Sequence, residues 1–258
     1  MSINNGSCDN LYALELLHPD VCEDDYAALQ LEARIHTLKI TSQHTYKTYM
    51  VFDFYKRNFV YISDNSLFLF QNTAGGGMNE GIAFYEKRIV DTEKAFLYRL
   101  YRSAVHFIQR VPPEERSNYA LSYNVNVLDS QNRKILLNNK ISSLATTPTG
   151  QLWLVFCTVS LALPQKSRIA IIQNSTTEQA WEYNDDSDTW RKFTISELSE
   201  CERLTIHLSR QGYSVSEIAE RLCRSVDAIK KYRKDLFTKL KVSNITEAVA
   251  LAVDMRLV

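Results

Sequence analysis

Four cations fall inside five residues of the string IKKYRKDLF: Lys230, Lys231, Arg233 and Lys234. Ammonium and guanidinium groups at this density suit the neutralising of a polyanion, and they donate hydrogen bonds to it. Bond-making chemistry has no comparable constellation. The five cysteines, Cys8, Cys22, Cys157, Cys201 and Cys223, are scattered and never spaced CxxC, so neither a zinc site nor a disulfide framework is indicated. Gly75, Gly76 and Gly77 are not followed by GK[ST] and form no phosphate loop. Asp24 and Asp25 follow HPDVCE, which is no buried strand, so a phosphoacceptor domain is not indicated either. No Ser/His/Asp set converges. The expectation is a protein that binds rather than catalyses, with no catalytic residues, no metal and no cofactor.

Cations reach a partner only if an element holds them on one face, and the residues around them supply one. Ser199 with Glu202 is a capping box that starts a helix carrying Ile206 and Leu208 inward and ending at Gly212, suited to a left-handed C′ position. Ser214 with Glu217 repeats the box and opens SEIAERL, whose Ile218, Ala219 and Leu222 recur at helical spacing. Cys223 and Arg224 then lead to Ser225, which caps a third helix. There Ile229, Leu236, Phe237 and Leu240 make the apolar stripe, and the cations lie largely opposite it. Asn244 with Glu247 caps a fourth helix, whose run Ala248, Val249, Leu251, Ala252 and Val253 is too apolar for a helix covered on one side only. The short gap before Ser225 forces a sharp turn, which is helix-turn-helix geometry. The third helix can then enter a major groove about 12 Å wide while the second braces across the backbone.

The string from Leu198 to Ala252 resembles the DNA-binding module of LuxR-type transcription regulators. The likeness rests on Leu198, Glu202, Gly212, Ser214, Glu217 to Ala219, Leu222, Ser225, Ile229 and Lys230, Arg233, Lys239 and Leu240, Val242, and Glu247 to Val249. It implies that Lys230, Lys231 and Lys234 face base edges and nearby phosphates, with Ser216, Tyr232, Arg233 and Asn244 holding the DNA backbone. It also implies a dimer seam on the fourth helix through Val249, Leu251, Ala252 and Val253. Ala228, Tyr232 and Arg224 depart from the family pattern, which leaves the operator sequence open.

Upstream the signals are mixed. TYMVFDFYKRNFVYISDN reads as two strands around a polar Lys56–Asn58 turn. Asp91 or Thr92 can cap a long helix in which Leu97, Tyr101, Ala104, Val105 and Ile108 recur, with Pro112 and Pro113 as its stop. LSYNVNVLD, ILLNNKISSLATT, GQLWLVFCTVSLA and SRIAIIQ follow as strands, with a hairpin AWEYN/TWRKF after them. This order resembles a PAS domain, a sensor whose helices cup one face of an antiparallel sheet. The resemblance implies a small-molecule ligand against Trp153 and Phe156, although plain core packing explains the same aromatics. Residues 10–45 read as helical with a break at His18 and Pro19. There Ala28, Leu31, Ile35 and Leu38 fit either a short dimer seam or packing on their own domain.

The expected fold class is thus α+β: a helical segment over 1–45, a PAS-like sensor domain over 46–193, and a small all-α four-helix reader over 194–258. Formal net charge is zero, with 30 basic and 30 acidic residues, yet basic residues outnumber acidic ones from Leu198 onward. That asymmetry suggests a polyanion as the partner of the C-terminal part, which the resemblance implies is double-stranded DNA. A homodimer is expected, and no membrane: the longest apolar stretch, Leu152 to Leu163, is interrupted by Thr158 and Ser160 and is well short of the ~20 residues a bilayer needs. MSINNGSCDN lacks the charged and apolar regions of a signal peptide, so a cytoplasmic place is expected. An N-terminal module that binds a protein instead of a ligand is the competing reading.

Overall fold

β-Branched and aromatic residues alternate with polar ones through the middle of the chain, and this period-2 pattern builds one large sheet. The structure, a computed structural model, describes residues 17, 19–64, 81–129, 131–162, 167–177, 179–194, 198–240 and 242–254. Two compact units result, one reaching to Lys192 and one built on Phe193–Val258.

In the first unit, α1 (Glu23–Leu29) and α2 (Leu31–Ser42) precede β1 (Thr48–Asp53) and β2 (Asn58–Ile62). α3 (Ile82–Glu86), α4 (Asp91–Gln109) and a 3-10 turn (Pro113–Asn118) come next. β3 (Tyr119–Leu128), β4 (Lys134–Thr146), β5 (Leu152–Leu161), β6 (Ala170–Asn174), β7 (Gln179–Asn184) and β8 (Thr189–Thr194) complete the unit. All eight strands join in the order β2-β1-β5-β4-β3-β6-β7-β8. The expected order of two strands, helices, a long helix and a strand meander is the order observed, and the class is α+β. The sheet continues past the meander, with β6 paired antiparallel to β3.

Strand alternation sends side chains to two cores. On one face Met50, Phe52, Tyr123, Leu137 and Val155 meet Phe96, Leu97, Leu100 and Tyr101 of α4. On the other, Tyr49, Val51, Tyr61 and Trp153 meet Leu29, Leu31, Ile35 and Leu38 of α1 and α2. The leucines and isoleucine that fitted a dimer seam are therefore spent on their own sheet. Gln30, in the left-handed region at φ 52, also breaks the segment in two and separates Ala28 from the others. A second difference concerns α4: Val90 is the N-cap, and Asp91 lies in the first turn, paired with Lys94 at 2.6 Å. Gly75 to Gly77 and His18 lie outside the described residues.

The second unit is four helices: α5 (Glu200–Arg210), α6 (Val215–Arg221), α7 (Val226–Leu240) and α8 (Ile245–Asp254). Leu198, Ile206, Leu236, Ala248 and Ala252 form one buried cluster, and Ile218, Ala219 and Ile229 another. Gly212 takes φ 90 after α5, as its place in the sequence required. Among the described residues no helix is long and apolar enough to cross a membrane.

Candidate nucleic-acid interface

The site is assembled from caps and a turn. Glu202 N–H donates to Ser199 Oγ at 3.3 Å, and Ser199 N–H to Glu202 Oε2 at 2.6 Å. Ser214 and Glu217 repeat the exchange at 2.7 and 3.3 Å at the head of α6. Each such cap satisfies first-turn N–H groups and stabilises its helix by about 1 kcal/mol. Between α6 and α7, Cys223 takes φ 51, its N–H reaching Glu220 O at 3.1 Å while Arg224 N–H reaches Ala219 O at 2.9 Å. Ser225 Oγ then accepts from Ala228 N–H at 3.1 Å, and α7 begins.

On α7, Ile229 and Leu236 are fully buried while Lys230, Lys231 and Lys234 are exposed. At 3.6 residues per turn the three lysines fall within about 100° of one another around the axis, away from the buried side. Lys230 Nζ lies 3.3 Å from Asp227 Oδ1, both side chains largely in water, a pairing worth a few tenths of a kcal/mol. Among the described residues Lys231 and Lys234 have no ion-pair partner.

The other expected backbone contacts divide. Ser216 is exposed in the first turn of α6. Tyr232 is half-buried against Ile218 and Ile229, and Arg233 is half-buried with its guanidinium 6.0 Å from the Phe237 ring. Asn244 is committed to a cap: Oδ1 accepts from Glu247 N–H at 2.9 Å and Nδ2 donates to Glu247 Oε1 at 2.8 Å. The seam on α8 needs a correction. Ala252 is fully buried against the cluster of Ile206 and Leu236, and Val249 packs on that cluster too, because α8 closes its own domain with this side. Val253 is 42% exposed and Leu251 half-buried, so of the four expected seam residues these two are the ones outside that buried cluster.

Lys239, read from the sequence only as part of the family likeness, makes a contact that the sequence did not announce. Its Nζ reaches Glu202 Oε2 at 2.8 Å, tying α7 to the cap of α5. Burial opposes the Glu202 charge, but Lys239 and the Ser199 hydrogen bonds outweigh it and hold the carboxyl below its ordinary range. No periodicity signals a contact 37 residues apart. Arg224, noted only as a departure from pattern, is exposed beside the start of α7 and adds a cation there.

A second candidate site lies in the first unit, a cavity of about 160 Å³ between α4 and the sheet. Met50, Phe52, Tyr101, Val105, Val155 and Cys157 are among its walls. Trp153 and Phe156, expected to meet a ligand, belong instead to the core under α1 and α2. Alternation along β5 turns Phe156 away from Val155 and Cys157, and the irregular pairing with β4 near Ala145 turns Trp153 the same way. Burial pushes the Cys157 thiol up to about 12, so it stays protonated.

Residues 196–252 match the family model of bacterial regulatory proteins, luxR family. No curated protein gives a match. Among solved structures, a phage VqmA–DPO complex is 14% identical, with 88% of this chain and 91% of that chain covered and a TM-score of 0.33. A Vibrio cholerae VqmA dimer solved in the absence of target DNA is 11% identical, covering 82% of this chain and 83% of that one, with a TM-score of 0.32. VqmA bound to DPO is 10% identical, covering 86% and 88%, at 0.32.

Proposed function

We propose that the chain is a DNA-binding transcription regulator whose residues 196–252, matching the luxR-family model, form the helix-turn-helix domain, that α7 reads the major groove and that a small ligand in the N-terminal cavity governs it. The observation that carries the first part is the exposed, loosely paired lysine face of α7, held rigid by capped neighbours over a filled core. Lys230, Lys231 and Lys234 meet base edges and phosphates. Ser216 and Arg233 touch the DNA backbone, and Asn244 serves first as a helix cap. Leu251 and Val253 of α8 join two copies on DNA, so that two readers span successive half-sites.

Ligand sensing is favoured over a protein-binding role by the first unit's packing. Both sheet faces carry helices and a hydrophobic core, while a cavity persists beside α4. A ligand needs such a space, whereas a partner protein needs an uncovered apolar face.

The experiment is genome-wide mapping of bound sites in cells carrying the wild-type chain or a Lys230/Lys231/Lys234 triple-alanine variant. Discrete sites with a shared sequence are expected for the first and their loss for the second. Equal occupancy by a folded triple variant would remove α7 as the reader.

A further inference from the structure

Residues of two unlike chemistries line the N-terminal cavity. Phe52 stands edge-on to both Phe54 and Phe59 with ring centroids 5.2 Å apart, which makes an apolar wall of ring faces and edges. Elsewhere in the lining, Tyr85 Oη donates to Asn139 Oδ1 at 2.7 Å, and the hydroxyls of Tyr101 and Tyr123 bond each other. The phenols are thereby occupied. Asn139 is 1% exposed, lines the cavity, and among the described residues its Nδ2 has no hydrogen-bond partner. Buried amide donors are paired in folded proteins as a rule, and an orphan on a cavity wall marks where an acceptor belongs.

Charge is excluded from the same space. Burial pushes the three phenols well up, so they stay neutral. Arg116 is the one charged side chain among the described lining residues, and its guanidinium is taken by the carbonyls of Val111, Gln109 and Gly150. An anion would find no uncommitted cation inside, and a cation no carboxylate. Its size suits one ring: about 160 Å³ compares with the roughly 150 Å³ cavity that takes up benzene.

Resting on the reading of this cavity as a ligand site, we propose that it selects an uncharged molecule of single-ring size that presents a hydrogen-bond acceptor to Asn139 Nδ2. The ring lies against Phe52, Phe54 and Phe59, and its acceptor atom completes the amide. Asn139 is then the residue that sets specificity, because a ring of the same shape without an acceptor leaves the amide unpaired.

Calorimetric titration of the full chain at pH 8 with three probes tests this: toluene, 4-methylpyridine and benzoate at millimolar concentration. 4-Methylpyridine, neutral at that pH, is expected to bind roughly ten-fold more tightly than toluene, and benzoate not to bind. In Asn139→Leu the ten-fold preference is expected to vanish with toluene binding kept. In Tyr85→Phe, which leaves the amide in place, it is expected to persist. Equal binding of toluene and 4-methylpyridine by the wild type would overturn the role of Asn139 while leaving the cavity a ligand site, and it needs no variant to fold. Benzoate binding as tightly as 4-methylpyridine would overturn the selection for neutral molecules. Failure of all three probes, toluene included, would overturn the proposal and the ligand reading together.

Discussion

Glu202 shows how one side chain can set the geometry of a surface it never reaches. It closes the cap of α5 and holds Lys239 of α7, and it is 3% exposed, so its loss leaves buried partners unmatched. Glu202→Gln is expected to destabilise the chain by roughly 1–2 kcal/mol at pH 7, read as a lower thermal midpoint. Because the folded carboxyl lies below its ordinary value of 4.5, its contribution is full above about pH 4.5 and is lost as pH falls through the lowered value. The gap between wild type and variant should therefore be constant from pH 7 to 5 and narrow below that. The cap itself was legible in the sequence, since Ser199-x-x-Glu202 has a fixed spacing. Its link to Lys239 was not, because that contact depends on where α7 crosses α5. For the same reason Asn244 was legible as a cap from its spacing to Glu247, while the commitment of both its amide atoms needed coordinates.

Among the elements, α4 does two jobs with opposite sides. Tyr101, Ala104, Val105 and Ile108 face the cavity, and the remaining side is pinned to the β7–β8 hairpin. Arg99 meets Asp185 at 2.7 Å and Arg102 meets Asp188 at 3.0 Å. Trp190 Nε1 donates to Ser103 Oγ at 3.0 Å, and the Phe107 ring sits edge-on to Trp181 and Trp190 at 5.1 and 5.7 Å. Exposed ion pairs of this kind contribute under about 1 kcal/mol each, so the aromatic contact decides how firmly the hairpin holds. Trp190→Ala is accordingly expected to cost about 2–3 kcal/mol in chemical denaturation, more than removal of either arginine. Both strands of the hairpin were foreseen from AWEYN and TWRKF; their docking on α4 was not, because it joins residues about 85 positions apart. Trp153 illustrates the same limit. Strict alternation would have put it beside Val155 and Cys157, but the irregularity in the β4–β5 pairing reverses its face, and aromatic content alone cannot report that.

The whole molecule divides its charge as it divides its fold. Zero net charge over 258 residues conceals a basic C-terminal unit, and within that unit exposed lysines gather on α7 while three of its acidic residues are committed to caps. Glu202, Glu217 and Glu247 each bond a helix start. The lysine face of α7 is predominantly positive although the average charge of the chain gives no sign of it. The direct consequence is a steep salt dependence, since each phosphate neutralised by a lysine adds about 0.9 to the slope of log affinity against log salt. The most direct measurement is therefore fluorescence anisotropy of the full chain on duplex DNA across a salt series, for wild type and for Lys231→Ala/Lys234→Ala. The account predicts binding that weakens steeply with salt in the wild type, and in the double variant weaker binding with a slope smaller by about 2. A folded double variant with undiminished affinity and an unchanged slope would contradict it.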